Sequence, residues 1–383
     1  MRRIAIAACF ACALVPAAAP LASDAAYPGW SGRIVFVRQV SGPSPSGLPL
    51  RSHALYTIRS NGTDERLLVD ARAWDPAWSP DGESVVFSND VDPTNSSLDD
   101  RELFLVPADG SRVKQLTFDA MAETSATWSP DGSQIAFERG GAIWRMRANG
   151  THQRMVVRDA LSVAWSPDGR WLGLTRGDGS IEVVHADGTG RRHLARAVHY
   201  SSKFGFGEAV EWTSNGRIAL VGARGLVTMS ADGKVRRGVS KRFNGGYQPA
   251  WSPDGRWIAV KSWNPDRLDV LSADGTRVRL LTRSVAPVSD FSPDWQPLCT
   301  RRGTDGPDAV VGTRGADVLC GLGGSDQLDG GAGPDRLFGG LATDRIVARD
   351  GAFDVVGCGG GNDLVVADRR DFVGIDCERV TRH

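Results

Sequence analysis

The pentapeptide Trp-Ser-Pro-Asp-Gly occurs at residues 78–82, 128–132, 165–169 and 251–255, and a degenerate copy, Trp212-Thr213-Ser214-Asn215-Gly216, falls between the last two. Successive tryptophans are 50, 37, 47 and 39 residues apart, the length of one propeller blade with loops of variable size. Serine first, proline next and glycine last suit a type I turn in which glycine takes positive φ. A short apolar strand follows each copy, at 85–87, 135–137, 171–174, 218–220 and 257–260. A second hairpin signal recurs further along each unit, as Asn61-Gly62, Asp109-Gly110, Asn149-Gly150, Asp187-Gly188, Asp232-Gly233 and Asp274-Gly275; such dipeptides are the strongest short hairpin markers. The six dipeptides exceed the five tryptophan turns by one, and circular closure accounts for the difference. Residues 32–37 read as a second strand without a first, and 289–295 as a first strand without a second. Pairing them completes six four-stranded blades and leaves no open sheet edge.

The Trp-Ser-Pro-Asp-Gly turns and the closing Pro293-Asp294-Trp295-Gln296-Pro297 resemble those of TolB-like (PD40) propellers over residues 30–298. The resemblance implies a scaffold for protein contacts or an accessory to enzymes, and no single reaction. The expected class is all-β: a six-bladed propeller whose C-terminal strand closes the first blade, followed by a small Gly/Asp-rich roll. Composition agrees, with 46 glycines and 12 tryptophans in 383 residues. Lys plus Arg and Asp plus Glu both total 45, a balance that points away from nucleic acid. Arg2 and Arg3, an apolar run from Ile4 to Ala19 and small residues to Ala26 read as a secretory signal. The expected division is therefore a signal at 1–25, a propeller at 26–298 and a tail at 299–383, with no membrane span in the mature chain.

Strand order sorts the loops by face. The Ser-Pro-Asp-Gly and Asp-Gly turns share one face; the loops between second and third strands and the blade-to-blade crossings share the other. The second face carries the irregular sequence, and aromatic and arginine side chains on such loops are where recognition usually resides. Tyr200, Phe204, Phe206, Arg242, Phe243 and Tyr247 are the candidate partner-binding residues; the alternative is that these aromatics cover the propeller's own core. Residues just ahead of each tryptophan should approach the central channel: Asp75, Glu123, Glu208, Glu211, Gln248 and Asp290. Converging carboxylates there would suit a cation or a basic peptide end, or would simply line a wet acidic funnel.

From Cys299 lysine and tryptophan vanish. Asp308, Asp317, Asp326, Asp335 and Asp344 are spaced nine apart, with Gly306, Gly315, Gly324 and Gly333 two residues ahead of the first four and an aliphatic residue two behind each. This nonapeptide pattern resembles hemolysin-type (RTX) repeats over 303–347. Calcium takes six to eight hard oxygen ligands, which the resemblance implies come from these aspartates and the turns holding Gly315, Gly324 and Gly333. Residues eighteen apart should stack, placing Asp308, Asp326 and Asp344 on one edge and Asp317 and Asp335 on the other. Ala342 replaces a glycine, and beyond Asp350 the spacing drifts. The mature chain keeps Cys299, Cys320, Cys358 and Cys377; four exported cysteines suggest disulfides. Three pairings are open, and the local ones, 299–320 and 358–377, are expected.

No Gly-x-Ser-x-Gly elbow occurs, and only His53 and His199 fall near the loop-rich face. The expected function is an exported, non-enzymatic, monomeric adaptor in which the propeller binds a protein or glycan of the cell envelope or exterior and the tail binds calcium. The alternative is an extracytoplasmic glycan lyase or hydrolase using a channel carboxylate or metal.

Overall fold

The structure is a computed structural model that describes residues 32–43, 49–91, 100–119, 121–196, 210–213, 216–222, 225–234, 236–240, 249–263, 266–284 and 288–383. No α-helix occurs among them, and no helix is long and apolar enough to cross a membrane. The expected targeting segment lies outside the described residues, as do Tyr200, Phe204, Phe206, Arg242, Phe243, Tyr247, Glu208 and Gln248.

Six antiparallel sheets of four strands form the propeller. Blades 2 to 6 begin with inner strands Ala73–Trp78, Glu123–Trp128, Ser162–Trp165, Glu211–Trp212 and Ala250–Trp251. Blade 1 takes its inner strand, Val288–Trp295, from the far end of the propeller sequence. That strand pairs antiparallel with Arg33–Pro43, setting Ile34 opposite Trp295 and Val35 opposite Asp294. The two incomplete ends of the repeat thus close the ring.

Each turn is locked by its own side chains. Ser79 Oγ donates to Asp81 Oδ1 at 2.5 Å and accepts from the Ser84 N–H at 2.9 Å; Ser252 repeats both bonds with Asp254 and Trp257. The tryptophan at the turn fills the wedge between its blade and the preceding one. Trp78 packs with Val35, Val37 and Leu55 of blade 1, and Trp295 with Ala259 and Leu268 of blade 6. Trp128, Trp212 and Trp295 also donate their indole N–H across the gap, to the carbonyls of Ala77, Ala164 and Ala250 at 3.2, 3.2 and 2.9 Å.

The tail is a roll of two parallel five-stranded sheets. Strands Arg301–Arg302, Val318–Leu322, Arg336–Leu341, Val355–Gly360 and Phe372–Val373 form one. Strands Ala309–Val311, Gln327–Asp329, Arg345–Ala348, Leu364–Ala367 and Arg379–Arg382 form the other. Leu319, Leu328, Leu337, Ile346, Val356 and Val365 fill the space between them. The roll does not end where the nonapeptide spacing drifts. Arg336 pairs with Val355 and Val355 with Phe372, so one extra residue in one turn and one fewer in the next leave the strands in register. Disulfides join Cys299 to Cys320 and Cys358 to Cys377.

The first of these sheets lies on the propeller's short-turn face. The linker at 296–300 is docked there: Gln296 accepts from the Arg33 N–H at 2.9 Å and donates to the Gly82 carbonyl at 2.8 Å.

Candidate functional site

A cavity of about 250 Å³ runs along the propeller axis, walled by prolines and tryptophans of the turns and by Asp75, Ser125, Ser162, Glu211 and Asp294. Its inner strands are bulged: Asp75, Ser125 and Ser292, each three residues ahead of its tryptophan, hold positive φ of 45°, 52° and 47°. Such a bulge re-aims side chains and is found preferentially near functional sites. Asp294 accepts the Trp78 N–H at 2.6 Å, tying blade 1 to blade 2. Burial pushes the Asp294 carboxyl up to about 7. Burial also raises Asp75, and it raises Glu211 well above the carboxylate range, with Asp294 adding repulsion.

One wall of this cavity comes from the roll. Arg336 reaches among the turns, where its Nη2 donates to the Pro130 carbonyl at 3.0 Å and its Nε is buried without a hydrogen-bond partner. Desolvation lowers its pKa, opposed by Asp131 and Asp81. The short-turn end of the cavity is therefore lined in part by a residue of the tail, which nothing in the local repeat pattern announces.

Of the expected channel residues, Asp75 and Glu211 line the cavity. Glu123 and Asp290 do not. Glu123 is bonded to Arg139 Nε at 2.7 Å and to Thr117 at 2.8 Å. Asp290 is held by Arg38 Nε at 2.7 Å. An arginine on the adjacent strand reaches each, and burial, with Glu102 adding repulsion, pushes the Glu123 carboxyl up to about 8. Asp294 was missed as a cavity residue; its position directly before a tryptophan, like that of Glu211, was the available signal. His53 is buried against Trp74, the rings tilted by 39° with centres 4.0 Å apart.

The second constellation is the aspartate ladder of the roll. Asp308 N–H donates to Asp326 Oδ1, Asp326 N–H to Asp344 Oδ1 and Asp344 N–H to Asp363 Oδ1, at 2.8, 2.8 and 2.7 Å. The other edge repeats this from Asp317 to Asp335, Asp354 and Asp371. The nine-residue reading treats its repeats alike, but the structure divides them. In the first two, Thr304 and Thr313 occupy the second oxygen: their N–H and hydroxyl both bond Oδ2 of Asp308 and Asp317, at 2.6 and 2.7 Å in each. Hydrogen bonds from those threonines hold both carboxyls below their ordinary value, against the desolvation that leads at Asp317. Gly315 belongs to such a threonine-closed turn, its N–H on Thr313 Oγ1 at 3.1 Å. From Gly324 onward the turns change hand, with φ of 93° at Gly324 and 109° at Gly333. There Oδ2 of Asp326, Asp344 and Asp363 is buried with no hydrogen-bond partner. Burial raises Asp326 and Asp363 and lifts Asp335 and Asp344 to about 6. Orphaned anionic oxygens stacked on one edge are the donor set a hard cation takes. Among the described residues no three acidic or imidazole side chains converge on one point. An ion at this edge would therefore draw on Asp326, Asp344 or Asp363 together with turn carbonyls.

A family model for the TolB beta propeller domain matches residues 58–255, and one for the RTX calcium-binding nonapeptide repeat (4 copies) matches 302–337 and 321–352. Dipeptidyl-peptidase 5 of Porphyromonas gingivalis is 35% identical over 83 residues, 21% of this chain and 12% of that protein. The same enzyme of Porphyromonas endodontalis is 34% identical over 100 residues, 25% of this chain and 14% of that protein. The chain thus spans a small fraction of the length of these curated relatives. The crystal structure of TolB from Acinetobacter baumannii superposes with a TM-score of 0.53 at 18% identity, covering 70% of this chain and 67% of that one. At such identity the likeness concerns the fold.

Proposed function

Since the chain belongs to the TolB beta propeller family and continues into RTX calcium-binding repeats, we propose that it is an extracytoplasmic adaptor whose propeller binds a protein or glycan and whose roll holds calcium. The observation that carries the reading is the placement of the roll: it lies across the short-turn face at blades 2, 3 and 4 and lends Arg336 to the cavity wall there, so the opposite, loop-bearing face is left for a partner. Tyr200, Phe204, Phe206, Arg242, Phe243 and Tyr247 belong to crossings on that side by strand order and are the residues assigned to recognition. Two disulfides favour an oxidising compartment. In the roll, Asp326, Asp344 and Asp363 are the residues assigned to calcium, which when bound supplies the positive charge that their stacked carboxylates need.

The test is capture of envelope glycans and extracellular proteins on the full chain, in calcium and in chelator. A ligand retained by the wild type and lost in Phe204→Ala and Tyr247→Ala, with melting temperature unchanged, supports the adaptor. The buried carboxylates of the tunnel favour a second reading, an enzyme. No retention in either condition, together with turnover of a glycan or peptide that Glu211→Gln abolishes, would replace the first reading with the second.

A further inference from the structure

The sheet of the roll that faces the propeller crosses three successive blades. At its first strand Arg302 meets Glu83 of the blade 2 turn at 3.0 Å. Two strands on, Arg336 holds the Pro130 carbonyl of the blade 3 turn. The next strand lays the backbone of Gly357 against the Asp131 carbonyl, so closely that a β-carbon would collide with it. Beyond it the Phe372 ring lies on Gly169 of the blade 4 turn in the same way, and Arg170 donates to the Arg370 carbonyl at 3.3 Å.

Parallel strands step about 4.8 Å apart, so this sheet acts as a ruler. All three turns can be engaged at once only while its strands keep register. Register is set at the strand heads, where Asp317, Asp335, Asp354 and Asp371 are linked N–H to carboxylate. These carboxyls are stacked and buried, and each layer of the roll joins one of them to the edge of Asp326, Asp344 and Asp363 assigned to calcium, so an ion that orders that edge orders this one with it. The first layer has other anchors, the Cys299–Cys320 bond and the docked linker. The Cys358–Cys377 bond ties the strand of Gly357 to the last layer, but neither disulfide joins these to the strand of Arg336, whose register with them rests on the ladder.

We propose that calcium, by ordering the roll, clamps its sheet across the turns of blades 2, 3 and 4 and seats Arg336 in the wall of the propeller cavity. Without the ion the first layer stays in place, the later strands lose register and Arg336 leaves the cavity wall. The clamp rests on the calcium reading of the roll, but the two fail separately.

Hydrogen exchange on the full chain, read by mass spectrometry in calcium and in chelator, tests it. Peptides from the roll report calcium binding itself. Peptides over 129–133 and 166–170 belong to the propeller and report seating, with the blade 6 turn at 252–256 as control. Calcium is expected to slow exchange in the roll and, by about tenfold, at the two covered turns, leaving the control unchanged. In Gly357→Leu the covered turns should exchange fast in both conditions while the roll still responds. If the roll responds and the turns do not, the clamp is overturned and the calcium reading stands. If the roll itself does not respond, the calcium reading falls and the clamp falls with it. Turns still protected in Gly357→Leu would also overturn the clamp.

Discussion

At the scale of single residues, the blade tryptophans fall into two sets. Trp128, Trp212 and Trp295 bond an alanine carbonyl of the preceding blade, whereas Nε1 of Trp78, Trp165 and Trp251 is buried without a hydrogen-bond partner. Trp212 and Trp165 are equally enclosed, at 7% and 6% exposure, so they make a fair pair. Replacing Trp212 by Phe removes a made bond; the same change at Trp165 removes a donor that had no partner and leaves a smaller ring under Arg145. Trp212→Phe should therefore cost about 1 kcal/mol more than Trp165→Phe in denaturant unfolding. Asp294 offers a second test. Its carboxyl titrates near 7 in the folded protein against an ordinary value of 3.8, so the native state holds the proton more tightly than the unfolded chain does. That contribution is present below about 4 and is lost as pH rises toward 7. Asp294→Asn, which keeps an acceptor for the Trp78 N–H, should flatten the fall in melting temperature over that window. An unchanged slope would refute the assignment.

At the scale of elements, the threonine-closed and glycine-closed turns of the roll should differ in metal binding. Asp326→Asn and Asp344→Asn are expected to lower calcium affinity in titration calorimetry by about tenfold or more, the loss of one charged ligand. Asp308→Asn should change it little, because Thr304 already occupies that carboxylate. Equal losses at all three would show that the threonine turns bind as well. Leu322 holds a φ of 81° where later turns place Gly331 and Gly340. Leu322→Gly should relieve that strain and raise the melting temperature of the roll, despite glycine's greater freedom in the unfolded chain. The nonapeptide spacing made the roll legible through 347. Past that point the aspartates slip to intervals of 19 and 17, and only strand pairing shows that turns absorb the slip.

At the scale of the whole molecule, the chain returns on itself twice. The inner strand of blade 1 closes the ring, and the roll seats on the short-turn face. Both contacts join distant parts of the sequence, and each joins them through backbone carbonyls or N–H groups as well as side chains. Ring closure is required of every blade at once, since each buries its tryptophan against the one before. A chain with Phe291→Asp and Trp295→Asp, which spoils the closing strand, should lose cooperative unfolding of the entire propeller in calorimetry. Melting of blade 1 alone, with the other blades intact, would contradict that dependence.

The sequence by itself determined the blade count, the closing strand, the turn chemistry and the two-edged roll. Each of these follows from a local pattern repeated at fixed spacing, and a repeat carries its geometry in the residues of one unit. It also pointed to the local disulfides, whose partners lie about one coil of the roll apart. What only the tertiary structure decided was which carboxylates face the axis and where the roll sits. Glu123 and Asp290 are held by Arg139 and Arg38, whereas Glu211 and Asp294 face the cavity. The difference lies in position on the inner strand: residues directly ahead of the tryptophan line the cavity, whereas Glu123 and Asp290, like Ala73, stand five ahead and do not. The seat of the roll depends on surface fit between Gly357, Phe372 and Arg336 and turns roughly two hundred residues away, and no period in the chain encodes a contact made once.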